Sequence, residues 1–160
     1  MTADVRVAPI PRDFYRWEEL LDVIRASFAY MDGVIDPPSS VHRLTVQSLR
    51  EKAAAELGFL AIAADEIAGC AFVAEKDDHF YLRKLAVTPA WQGRGIGRRL
   101  LQAAEEHASR VGKPILELQT RVELDGNQRL FATLGFVETG RTSHAGFNRP
   151  TSVTMRKALA

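Results

Sequence analysis

Between Phe14 and about Met31, apolar residues recur every three or four positions. Phe14, Trp17, Leu21, Ile24 and Phe28 fall on one side, and Arg16, Glu18, Asp22 and Arg25 on the other. That spacing predicts an amphipathic helix, stopped by Asp32 and Gly33. Before it, Arg6 to Ile10 reads as a first strand, interrupted by Pro9 and Pro11. After it, Ile35 to Ser40 reads as an extended loop, because Pro37 and Pro38 lack donors and restrict the residues before them. Thr45 caps a second helix reaching about Leu57, with Gly58 just beyond its end.

The period then changes. Gly58 to Ala64 and Ile67 to Ala74 are apolar runs of strand length joined by a turn at Asp65 and Glu66, the pattern of a hairpin. Asp77 and Asp78 turn the chain into a fourth strand over His79 to Val87. A helix follows the segment TPAWQGRGIG and runs to about Arg110. Ile96, Leu100, Ala104 and Ala108 form its apolar stripe, and Arg98, Arg99, Gln102, Glu105 and Glu106 face solvent. Gly112 and Pro114 stop it, and Ile115 to Thr120 reads as a fifth strand. Asp125 with Gln128 reads as a capping box opening a short helix that Gly135 ends. Phe136 to Arg141 and Ser152 to Lys157 pair as closing strands around the loop SHAGFNRP. This order predicts an α/β fold, a mixed and mostly antiparallel central sheet flanked by helices on both faces, in one domain over residues 1–160.

Composition narrows the function classes. Apolar residues make up 46% of the 160 and charged residues 26%, enough for one continuous core. With 21 Lys and Arg against 20 Asp and Glu, the chain has no global field for nucleic acid, and none is expected as a partner. Cys70 is the sole cysteine and lies in an apolar run, which predicts a small buried core residue. His42 and His107 share no metal-ligand spacing with it, so no zinc is expected. The N-terminus lacks a signal-peptide pattern and no stretch approaches 18 apolar residues; a cytoplasmic protein without a membrane partner is the default expectation.

The segment LAVTPAWQGRGIGRRLL, residues 85–101, carries the sharpest chemistry. Gly93, Gly95 and Gly97 sit between a strand and a helix start, where glycine permits a tight turn and lets backbone N–H groups approach a ligand. The first N–H groups of a helix have no internal partner and suit a diphosphate; Arg94, Arg98 and Arg99 add charge. A flexible turn with solvated arginines is the plain reading of the same residues. A Walker loop needs Lys-Ser/Thr after its glycines, and this loop continues into Arg98 and Arg99. A Rossmann fingerprint needs an early strand and an acidic residue about 20 positions on. Here the strand at 115–120 ends in Gln119 and Thr120.

The chain resembles the GNAT acetyltransferase superfamily. Gln92, Gly95 and Gly97 match its pyrophosphate signature Gln/Arg-x-x-Gly-x-Gly/Ala, Leu85 to Pro89 resembles its fourth strand and exit, and Asn127 to Phe136 resembles its Asn-containing helix with a Leu-Gly-Phe ending. The resemblance spans residues 59–157 in element order. It implies a GNAT-type fold and an acetyl-coenzyme A-dependent N-acetyltransferase acting on a primary amine of a small molecule or peptide. It also implies that Leu85, Ala86 and Val87 align the pantetheine arm, that Gln92, Gly93, Arg94, Gly95, Ile96, Gly97 and Arg98 hold the diphosphate, and that Asn127 and Phe131 approach the arm. Asn127 and Phe131, four apart on a helix, share a face; bonding of Asn127 to a neighbouring turn is the alternative. A homodimer is compatible with the resemblance, and no exposed stripe in the sequence marks an interface.

Transfer to an amine requires removal of a proton from an ammonium of pKa about 10.4. Some family members place a base on the fourth strand where this chain has Tyr81. His79, Tyr81 and Arg83 alternate onto one side of that strand, away from Phe80 and Leu82, so Tyr81 and His79 are candidates, with a solvated strand end as the plain reading of His79. His144, in the last loop, is the other candidate. Many members have a tyrosine acid where this chain has Phe131, which has no proton to give; a noncatalytic acyl-coenzyme A-binding regulatory protein is the alternative that this departure raises. Acceptor selection is expected from Tyr30, Met31, Asp32 and the 36–40 loop, with His144, Phe147, Asn148 and Arg149. Asp32 and Asp36 suit a cationic amine and Arg149 a carboxylate. As plain readings, Asp32-Gly33 is a helix stop and Arg149-Pro150 a turn.

Overall fold

The computed structural model describes residues 4–159. Among these residues, seven strands form one sheet: β1 (Val5–Pro9), β2 (Leu57–Ala63), β3 (Glu66–Glu75), β4 (Phe80–Val87), β5 (Ile115–Arg121), β6 (Val137–Thr142) and β7 (Ser152–Ala158). Their spatial order is β1-β2-β3-β4-β5-β7-β6, and every neighbouring pair is antiparallel except β4–β5. Four α-helices accompany them: α1 (Trp17–Phe28), α2 (Val46–Ala55), α3 (Ile96–Val111) and α4 (Asp125–Thr133).

The apolar pattern decides which face each helix covers. Leu20 and Ile24 of α1 and Leu49 of α2 bury against Leu60, Cys70 and Phe72 on one face. Leu100, Ala104 and Ala108 of α3 bury against Phe59, Ala71, Val73 and Leu116 on the other. β3 is buried from Ile67 to Ala74 because both its faces are covered, as an uninterrupted apolar run requires. Met31, Ile35 and Leu124 form a third, smaller cluster.

Several boundaries move for local reasons. α1 begins at Trp17 rather than Phe14, since Phe14 turns back on Pro11 and stacks edge-on against Trp17 at 4.8 Å. Its last turn tightens into a 3-10 segment, Ala29–Met31, and a second 3-10 turn, Ser40–Arg43, closes the proline loop. α2 stops at Ala55 because Leu57 and Gly58 enter β2. Gly58 is a packing glycine and not a helix stop: a Cβ there would lie 2.6 Å from Ile10 and 2.8 Å from Phe72. The hairpin turn sits one residue earlier, with Ala64 and Asp65 both left-handed, as a two-residue turn matched to strand twist demands. The Asp125/Gln128 capping box does not form. Gln128 Nε2 instead donates to the carbonyls of Arg121 and Val122, tying α4 to the end of β5, and the capping box that does form is Thr45/Ser48. Among the described residues no helix is long and apolar enough to cross a membrane.

Candidate active site

β4 and β5 pair only at Phe80↔Leu116 and Tyr81↔Glu117. Beyond that point β5 continues along β7 and β4 along β3, so the two strands splay into a notch. Just past the start of the splay β4 bulges: Phe72 faces Arg83, but Cys70 faces Ala86, leaving one extra residue on β4. Lys84 takes up that residue at φ +55, a left-handed conformation costly for a side chain with a Cβ. Two buried features of β3 accommodate the bulge. Cys70 Sγ donates to the Lys84 carbonyl at 3.4 Å, and burial pushes its thiol up to about 12, which keeps it a donor and not a nucleophile. At Gly69 a Cβ would meet the Ala86 carbonyl oxygen at 2.4 Å, so only glycine lets β4 close on β3 there.

Past the bulge, the edge of β4 is held by side chains instead of a strand. The Val87 N–H donates to Ser27 Oγ of α1 at 3.2 Å, and the Val87 carbonyl accepts from Gln92 Nε2 at 2.9 Å. Gln92 thus shapes the exit of β4 by folding back on it. Ser27 is a site residue that the sequence reading missed; its signal was a buried polar residue on the apolar face of α1.

The glycine segment forms the cradle at the end of the notch. Gly93 and Gly95 both have φ +78, and Gly95 is the N-cap of α3. The first helical bond runs from Arg99 N to the Gly95 carbonyl, so the N–H groups of Ile96, Gly97 and Arg98 have no acceptor within the helix. Ile96 points into the core, Arg98 is exposed, and the Arg94 guanidinium lies 4.7 Å from the Trp91 ring. Arg99 serves the fold, donating to the Val5 carbonyl at 2.7 Å. Gly97 is the informative member. Its φ is ordinary, and a Cβ would find only Val87 Cγ2, at a comfortable 3.7 Å. Protein packing therefore does not require glycine at this position.

An open pocket of about 320 Å³ fills the α1 side of the notch. Of the residues singled out for catalysis and acceptor binding, Tyr81, Met31, His144 and Pro37 to Ser40 of the 36–40 loop line it. Burial raises the Tyr81 phenol pKa against the nearby Arg83 charge, so the phenol keeps its proton at neutral pH. His144 Nδ1 lies 2.5 Å from Thr151 Oγ1, and burial together with the Arg121 charge holds the imidazole below its usual range, so it is neutral at pH 7.

The remaining candidates lie elsewhere. His79 stands at the closed end of the notch, bound to Asp78 at 2.6 Å and 3.7 Å from Glu117, away from the pocket lining. Asp32 pairs with His42 at 2.7 Å and Arg149 with Asp36 at 3.3 Å, so each is satisfied by the protein itself and neither lines the pocket. Tyr30 is also outside the lining; its hydroxyl accepts from Asn127 Nδ2 at 3.0 Å. Phe131 packs edge-on against Phe136 at 5.7 Å beside the α3-side core. Among the described residues, no three His, Cys, Asp or Glu are placed to hold a metal ion.

Comparison with known proteins agrees with this geometry. Residues 17–136 match the Acetyltransferase (GNAT) family. An IAA acetyltransferase of Azospirillum brasilense is 32% identical over 130 residues, 79% of this chain and 82% of that protein. In fold, the chain is similar to the PaiA N-acetyltransferase from Thermoplasma acidophilum in complex with coenzyme A (TM-score 0.79, 19% identity, 99% of this chain and 100% of that one). It is similar too to a GNAT family acetyltransferase from Elizabethkingia anophelis with acetyl-coenzyme A bound (TM-score 0.67, 18% identity, 97% and 98%). With three-quarters of its length inside the family's pattern and its sheet split at the bulged strand, this chain belongs to the GNAT acetyltransferase family.

Proposed function

We propose that this chain transfers an acetyl group from acetyl-coenzyme A to a primary amine on a small molecule or peptide. The observation that carries the reading is Gly97, a glycine that the protein's own packing does not need, placed beside three unpartnered helix N–H groups at the end of the notch. The Elizabethkingia and Thermoplasma relatives, with acetyl-coenzyme A and coenzyme A bound, support the choice of cosubstrate.

The residues present fit such a group. The free N–H groups of Ile96, Gly97 and Arg98, with the exposed Arg98 side chain, would hold a diphosphate, β4 past its pairing with β5 would flank the arm, and Asn127 would offer its amide. When bound, acetyl-coenzyme A supplies an activated acyl carbon. The chain's own work is to position the amine and take its proton. Thr151 Oγ1 is buried between the Thr142 carbonyl at 3.3 Å, His144 N at 2.8 Å and His144 Nδ1 at 2.5 Å. With its single proton donated to Thr142, the hydroxyl accepts from Nδ1–H, and the lone pair of His144 is left on Nε2. His144 is thus the base of this account, and Tyr81 a hydrogen-bonding wall beside it. The test is thiol release from acetyl-coenzyme A by the purified protein across a panel of amines, amino acids and peptides. Turnover with any amine supports the reading; tight cosubstrate binding with no turnover across the panel contradicts it.

A further inference from the structure

We infer that the amine accepted by this pocket carries an anionic group, a carboxylate or a phosphate, bound by Arg43, Lys84 and Arg121. The inference rests on the acyl-transfer reading above and adds the chemistry of the acceptor. Four cationic side chains line the pocket, Arg43, Arg83, Lys84 and Arg121, and no Asp or Glu is among its lining residues. Arg83 is neutralised by the Glu56 carboxylate. For the other three, no ion pair occurs among the described residues. Lys84 Nζ meets only the Ser40 hydroxyl, at 2.9 Å, and Arg121 donates to the carbonyls of Pro37 and Pro38. The chain as a whole carries a formal charge of only +1, so this excess is local and not a reflection of composition.

Lys84 is half-buried beside other cations. Burial, with the charges of Lys52, Arg83 and Arg43 added, pushes its ammonium down to about 8. A simple alkylamine arrives as a cation and is repelled by such a wall. An amine that also bears a carboxylate satisfies the cations and leaves its nitrogen for His144, which lines the same pocket. The lining also includes the apolar Phe28, Met31 and Ile35, which suit a small hydrocarbon body. The volume of about 320 Å³ lies at the small end for ligand sites, roughly 300–1,000 Å³. An amino acid with an apolar side chain meets all three requirements.

Leucine, leucinamide, 3-methylbutylamine and the phosphonate analogue of leucine differ chiefly in the anion and test the inference directly. Their kcat/KM values with acetyl-coenzyme A, and their binding by calorimetry, are compared with the same series built on methionine and phenylalanine. The expected result is that the carboxylate or phosphonate members exceed the neutral and decarboxylated ones by about tenfold or more. A phosphonate preferred over its carboxylate identifies the group as phosphate-like. Arg43 is exposed and makes no side-chain hydrogen bond among the described residues, so R43Q keeps the fold; it is expected to shrink the preference by about threefold or more. Equal or better response to the amines without an anion, no response to any anionic member, or an R43Q that weakens all members alike, overturns the inference. Calorimetric titration with acetyl-coenzyme A alone separates this failure from failure of the cosubstrate reading.

Discussion

Asn127 of α4 and Tyr30, 97 positions earlier at the end of α1, meet through an amide-to-hydroxyl hydrogen bond of 3.0 Å. The contact joins the helix that follows β5 to the end of the helix that follows β1. Asn127 spends one N–H on Tyr30, and in the proposed complex its second N–H and carbonyl oxygen would serve the arm of coenzyme A. N127A is expected to weaken acetyl-coenzyme A binding by about 1 kcal/mol, the usual worth of one hydrogen bond. Y30F alone should cost less, and the double variant should bind no worse than N127A. Calorimetric titration of the four proteins checks this. Strictly additive losses would show that the two residues act separately.

His144 should control the acid side of the activity profile. As its imidazole lies below the usual range, the acid limb of kcat/KM should fall at lower pH than an ordinary histidine would place it, as the imidazole takes a proton. H144Q should lower kcat by about 10²-fold or more and remove that acid limb. T151V, which leaves the Nδ1 side without its acceptor, should move the limb while retaining part of the activity. An H144Q variant with the wild-type profile would exclude His144 as the base.

Lys84 makes stability depend on pH in a direction that can be worked out. In the unfolded chain it keeps its proton to 10.5, and in the folded protein only to about 8. Between those values the unfolded state binds more protons, so rising pH favours the folded state. Relative to wild type, K84M should be more stable at pH 7 and lose that advantage as pH climbs from 8 towards 10.5. Methionine keeps the stem and the backbone strain at φ +55, so the comparison isolates the charge. Urea midpoints at pH 7, 8.5 and 9.5 measure it. Parallel curves for the two proteins would mean that Lys84 sits in no unfavourable field.

The sequence was most legible where one period dominated. The stripe of Ile96, Leu100, Ala104 and Ala108 and the run from Ile67 to Ala74 gave α3 and β3 to within a residue or two. Gln92, Gly95 and Gly97 marked the cradle because glycine spacing is a backbone requirement written directly in residue type. The bulge at Lys84 was hidden, since nothing in FYLRKLAV distinguishes an extra residue from a regular strand. Its supports, Gly69 and Cys70, belong to the partner strand and look like ordinary core in sequence. The partners of charged residues were hidden for a related reason. Arg149 and Asp36, or Asp32 and His42, look free along the chain, but loops distant in sequence bring each pair together. Arg43 and Arg121 carried no motif at all, and only the convergence of four segments places them in one pocket.

Gly97 tests the central claim most directly. Nothing in the protein comes nearer than 3.7 Å to a Cβ at that position, and alanine is favoured over glycine in a helix by up to about 1 kcal/mol. G97A should therefore unfold at the same or a higher temperature than wild type. If the diphosphate of acetyl-coenzyme A rests on the N–H groups of Ile96, Gly97 and Arg98, the added methyl group stands between it and the backbone. The decisive measurement is calorimetric titration of G97A with acetyl-coenzyme A, paired with thermal unfolding. Binding weakened by about tenfold or more, with stability retained or improved, is the predicted result; wild-type affinity in a folded G97A would contradict the account.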